Sequence, residues 1–130
     1  TKADILFTYG YTEEATKFYK KNLEKFPSNY YAKIRIFENI EIKNLSNRDT
    51  EIIFQENIDL LYKFYNNKNV LLKYFDLAQK LKKNEWLEFF NFILSINDIE
   101  KEVFDIEIKN FKSTKDSDLL KLVNIIENLN

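Results

Sequence analysis

The chain has 130 residues and 15.7 kDa, with 45% apolar and 32% charged side chains; it is large enough for a hydrophobic core and too apolar for disorder. A single glycine, Gly10, and a single proline, Pro27, exclude the turn-rich β-sandwiches and barrels and the glycine-rich phosphate turns of doubly wound α/β folds. The charge is balanced, 20 Lys+Arg against 21 Asp+Glu, without the basic excess of a dedicated duplex-binding domain.

What remains is an all-α fold, and the apolar residues recur at helical spacing between short polar breaks. The spacing predicts a first helix over Lys2–Thr8, ended by Gly10. A second runs from Thr12 to Phe26. Glu13 and Glu14 sit in its first turn, where the helix dipole favours acids, and Pro27 stops it. The third covers Asn29–Lys43 on a stripe of Tyr31, Ile34, Phe37 and Ile40. After a loop at 44–48, the fourth runs from Asp49 or Thr50 to Tyr65. The fifth covers Val70–Lys82, the sixth Glu85–Ile96, the seventh Ile99–Phe111 and the eighth Asp116–Leu129. Alternating β-branched residues leave a strand open at Ile34–Ile42 and at Val103–Ile108. No apolar run approaches the ~20 residues of a membrane span. Methionine is absent even at position 1, so the sequence reads as a single helical-repeat domain over 1–130, a fragment of a longer chain.

The helices pair into hairpins of about 33 residues, starting near residues 1, 29, 69 and 98. A hairpin of amphipathic helices cannot bury its apolar face by itself, so stacked neighbours must close the core. Within the first pair, Ala15, Tyr19, Leu23 and Pro27, with Gly10 at the preceding turn, resemble a tetratricopeptide repeat. In that pattern a small residue admits the partner helix, large ones fill the seam and Pro ends the unit. Asn22 departs from it, since the family prefers Ala there. Leu77, Ala78, Leu81, Leu87 and Leu94 resemble the family more weakly, with Phe90 where a small residue belongs. The middle pair has Phe37 at its small site and a long internal loop.

The resemblance implies α-α hairpins stacked as a short right-handed superhelix, a degenerate α-solenoid. Its concave groove would be lined by the first helix of each hairpin and would hold a partner protein or peptide. Carried over position by position, it implies groove residues Asp4, Phe7 and Thr8, then Tyr31, Ile34, Glu38 and Glu41, then Leu72, Phe75, Gln79, Lys82 and Lys83.

The chemistry of the residues themselves points away from catalysis. His and Cys are both absent, which removes the commonest general base, the commonest metal ligand and every thiolate. The carboxylate pairs Glu13/Glu14, Asp49/Glu51, Asp98/Glu100 and Asp116/Asp118 each fall at an expected helix start, where the dipole explains them. Ser46, Ser95, Ser113 and Ser117 read as loop or cap residues. No catalytic, cofactor-binding or metal-binding residue is expected, and no cofactor. The clusters Lys17/Lys20/Lys21 and Lys80/Lys82/Lys83 read as solvated helix faces, so no nucleic-acid partner is expected. Trp86, Phe89, Phe90 and Phe92 are too crowded for one helix face to bury, so some of them are expected to face a neighbouring hairpin, a partner or a missing part of the chain, with an interface role for one or two. The partner is another protein or peptide, or another part of a longer chain; self-association stays open. The alternative is an accessory or regulatory helical domain of a larger enzyme such as a glycosyltransferase.

Overall fold

A computed structural model describes residues 3–5, 10 and 12–129, and among these it contains helices and connecting turns and no strand. The α-helices are α1 (Thr12–Lys25), α2 (Tyr30–Glu38), α3 (Asn47–Glu56), α4 (Ile58–Lys63), α5 (Lys68–Lys80), α6 (Asn84–Ser95), α7 (Lys101–Phe111) and α8 (Ser117–Glu127). Residues 3–5 are helical, and a 3₁₀ turn, Ile96–Asp98, follows α6. No helix among the described residues is long and apolar enough to cross a membrane. The chain divides into two compact units, Thr1–Lys73 and Tyr74–Asn130.

In the first unit, α1 carries Glu13 and Glu14 in its first turn and Lys25 in its last, both matched to the helix dipole. Phe26 N–H still reaches the Asn22 carbonyl at 2.8 Å, and Pro27, with no N–H to give, ends the run. Asn29 then starts α2, its side chain accepting from the Ala32 N–H at 3.2 Å. The Asn29 amide also donates to Asn22 Oδ1 at 2.6 Å, tying the start of α2 to α1. The two helices pack together. Tyr19 and Ala32 share a core with Ala3, and Leu23 and Ile36 pack against it. Ala15 and Ala32 have no exposed surface; a larger side chain at either position would overpack the core.

α2 is shorter than its sequence suggests. The stripe through Ile40 predicts helix to Lys43, but the helix ends at Glu38. The Asn39 side chain folds back to donate to the Arg35 carbonyl at 2.8 Å, and the Asn39 and Ile40 N–H groups take tighter i−3 bonds to Ile36 and Phe37, both 3.2 Å. Asn competes with the backbone for its own hydrogen bonds, and the β-branched residues beyond it favour helix weakly. Lys73 then holds the released Ile40 carbonyl at 2.6 Å.

The expected fourth helix begins earlier and is broken. Ser46 caps α3, its hydroxyl accepting from the Asp49 N–H at 3.1 Å, so Asn47 and Arg48 are helical, not loop. Asn57 interrupts the run between α3 and α4, with its side-chain amide donating to the Ile53 carbonyl at 2.9 Å. The stretch predicted to hold one two-helix hairpin therefore holds α2, α3 and α4. The strand expectations at Ile34–Ile42 and Val103–Ile108 are not met: the second lies within α7, and the first is the end of α2 and an irregular stretch.

α5 starts under an Asn67 cap, whose Oδ1 accepts from the N–H groups of Asn69 at 3.0 Å and Val70 at 3.2 Å. It ends two residues before the predicted Lys82. Lys83 N–H bonds the Ala78 carbonyl at 2.9 Å and Lys82 N–H the Gln79 carbonyl at 3.2 Å. That is the paired closure of a Schellman motif, with Lys82 left-handed at φ 57°. A left-handed backbone at a residue with a Cβ costs about 1–2 kcal/mol. Lys82→Gly removes that strain against a smaller loss of unfolded-state entropy. It is expected to raise the unfolding free energy by about 0.5–1 kcal/mol, read as an upward shift of the urea midpoint.

In the second unit, α8 presents Leu119, Leu122, Val123 and Ile126 as one buried stripe, packed against α7. Trp86, Phe89, Phe90 and Phe92 are all buried, between 0 and 7% exposed, so the crowded rings are taken up by the neighbouring hairpin, one of the expected places, and the interface role expected for one or two of them is not met. α6 is covered on more than one side. Phe92 points away from the Trp86–Phe90 stripe and meets α7 through Phe104 at 5.5 Å and Phe111 at 5.4 Å. Phe89 meets Phe111 edge-on at 4.8 Å, and Trp86 lies 5.8 Å from Phe90.

Candidate functional site

The residues implied as a groove fall into three groups. Phe7 and Thr8 lie outside the described residues. Asp4, Tyr31, Ile34 and Glu38 lie in the first unit, and three of them meet. The Asp4 carboxylate accepts the Tyr31 hydroxyl, 2.9 Å from Oδ1 and 3.0 Å from Oδ2, and also the Tyr19 hydroxyl. The Arg35 Nε stands 3.4 Å from Asp4 Oδ1, and its terminal nitrogen pairs with Glu38 at 3.2 Å. Glu38 reaches on to the Asn69 amide at 3.5 Å. Helical spacing explains the convergence: Tyr31, Arg35 and Glu38 lie four and then three residues apart, on one face of α2.

The cluster is partly wet. Tyr31 is 54% exposed, and the Asp4 and Arg35 side chains each keep 30% of their surface. Ion pairs so placed add little stability; what they fix is orientation. The Tyr31 ring stands edge-on to Tyr19 at 6.2 Å. The hydrogen bond with Tyr19 raises the Arg35 guanidinium pKa above its ordinary value, with electrostatic contributions from Tyr19, Glu38 and Tyr31 adding to it, against a smaller opposing effect of burial. The cation is permanent at any working pH. Beside this cluster, Tyr30 carries two ammonium groups near its ring, Lys33 at 4.9 Å and Lys63 at 4.8 Å, and packs on Phe64 at 5.6 Å.

The remaining groove residues are not gathered into the cluster. Ile34 is half-buried, and Glu41 is exposed in the irregular stretch after α2. Leu72, Phe75 and Gln79 share one face of α5 by their spacing, with Leu72 and Gln79 exposed and Phe75 half-buried. Lys82 is a helix stop, not a helix-face residue, and Lys83 precedes the first turn of α6. Sequence reasoning missed Arg35 at the centre of the cluster, although its spacing from Tyr31 and Glu38 was there to find. Tyr19 was read as seam filling, and its buried ring does fill the seam while its hydroxyl serves Asp4.

The carboxylates and serines are engaged as structural groups where the geometry is shown. Asp116 caps α8, Ser46 caps α3, and the Ser95 and Ser113 hydroxyls donate to the Phe92 and Asn110 carbonyls at 3.0 and 2.7 Å. Compared with models of known families, with curated proteins and with solved structures, the chain matches none significantly.

Proposed function

We propose that the chain is a protein-interaction module of tetratricopeptide-like helical hairpins, stacked as a short right-handed superhelix, which holds a partner protein or peptide on its helix faces. The observation that carries this reading is the cluster of Asp4, Tyr31, Arg35 and Glu38. It presents one carboxylate pair, one permanent cation and one exposed ring, held in fixed geometry on a helix face. A fixed, half-exposed Tyr and Arg are the residue types that dominate binding energy at protein interfaces. What supports a hairpin architecture is the packing of α1 on α2, with Tyr19 and Ala32 in one core and Pro27 in the turn between the two helices.

The test is capture from a lysate of the source cell, with the chain as bait beside Tyr31→Ala and Phe75→Ala. Tyr31→Ala leaves Asp4 its bonds to Tyr19 and Arg35, so the melting temperature should hold. A partner depleted about tenfold or more by Tyr31→Ala supports the reading. A partner retained at full strength by that folded variant refutes this surface.

A further inference from the structure

A second surface, independent of the first, lies in the second unit. Between α6 and α7 runs an open groove of about 510 Å³, floored by Phe92, Ile99, Val103 and Phe111 and flanked by Glu88 and Glu107. Val103 is 45% exposed, and Ile106, one turn along α7, is 60% exposed. Neither Glu88 nor Glu107 forms an ion pair among the described residues. The surrounding charge is predominantly acidic. From Asn84 to Glu107 the chain carries seven carboxylates, at Glu85, Glu88, Asp98, Glu100, Glu102, Asp105 and Glu107, against the single base Lys101. The near-neutral total charge hides this local excess.

An apolar floor under unpaired carboxylates selects by charge as well as by shape. A cationic segment is steered toward it and its apolar side chains find the floor, while an acidic one is repelled. We propose that the α6–α7 groove docks a basic amphipathic helix of another protein, with apolar side chains on Phe92, Val103 and Phe111 and Lys or Arg opposite Glu88 and Glu107. The groove between two packed helices offers the shape that helix-in-groove recognition uses, and the acids set the sign of the partner.

The probe is a fluorescein-labelled peptide of about 14 residues with leucines at i, i+3, i+4 and i+7 and lysines between them, titrated into the full chain by fluorescence anisotropy. Binding is expected to weaken about tenfold or more in the paired variant Glu88→Lys/Glu107→Lys, and also in Val103→Ser. A peptide with its leucines replaced by serine should bind about tenfold more weakly than the parent. Glu88, Glu107 and Val103 are at least partly exposed, so circular dichroism should show each variant folded. If charge reversal nevertheless disturbs the fold, Val103→Ser and the serine peptide decide the matter. Absence of binding to the wild-type chain, equal binding of the serine peptide, or indifference to Val103→Ser would overturn the proposal. So would concentration-dependent self-association abolished by the paired variant, because the occupant would then be a second copy. None of these outcomes touches the Tyr31 surface, whose test uses different variants.

Discussion

Phe89→Ala is expected to cost about 4 kcal/mol of stability, within the range of about 3–5 kcal/mol seen for buried Phe truncations. The side chain has no exposed surface. Its ring takes the edge of Phe111 at 4.8 Å and stacks on Phe92 at 5.8 Å. The neighbours that would have to move into the vacated space are themselves rings, held between α6 and α7, so the cavity should collapse little. Domains of this size are stable by roughly 5–15 kcal/mol, so the variant should unfold at a much lower urea concentration, followed by far-UV circular dichroism. Leu94→Ala, on the same helix but 49% exposed, should stay within about 0.5 kcal/mol of the parent. A Phe89→Ala loss no larger than that of Leu94→Ala would contradict the packing described for α6.

Asp116→Ala is expected to cost about 2–4 kcal/mol. One carboxylate does two jobs here. Its Oδ1 accepts from the Asp118 N–H at 3.0 Å and the Leu119 N–H at 3.1 Å, capping α8. Its Oδ2 accepts the Trp86 indole N–H at 2.8 Å. Loss of a cap costs about 0.5–2 kcal/mol, and a buried donor left without a partner costs about 1–3 kcal/mol more. With Trp86 only 2% exposed, water does not readily replace the lost acceptor. Asp116→Asn separates the two contributions. Its amide has one carbonyl oxygen, which can serve the cap or the indole but not both, so it should lose about half as much. In a Trp86→Phe background the Asn substitution should cost less again, because the donor is gone; equal cost in both backgrounds would show that the two side chains are not coupled.

The helical class was legible because polar breaks punctuate an apolar period. Asn67, the Lys83–Asn84 pair and the stretch before Asp116 all fall where helices begin. What stayed hidden depends on bonds whose partners are far apart or whose sequence carries no stop. The stripe through Ile40 and Ile42 keeps helical period past the true end of α2, and the side chain of Asn39, with help from Lys73, ends it. Lys82 takes a left-handed turn that a glycine would have announced. Crowding of Trp86, Phe89, Phe90 and Phe92 was visible, but a sequence does not show how many sides of a helix are covered, and α7 takes the side that looked spare. In the candidate site, Asp4, Tyr31 and Glu38 were singled out only through a resemblance, and the bonds that join them through Arg35 are visible in the structure alone. Arg35 stayed unseen because what singles it out is its place between Asp4 and Glu38, and Asp4 is far from it in sequence.

Trp86 is the chain's one tryptophan, and of its eight tyrosines seven precede Tyr74. The chromophores are thereby sorted by unit: the indole, sealed beside Asp116, belongs to Tyr74–Asn130, and nearly all the phenol absorbance belongs to Thr1–Lys73. Light absorbed at the red edge excites the second unit alone. The molecule is in effect labelled on one side without chemistry, and its two parts can be watched separately in a single cuvette.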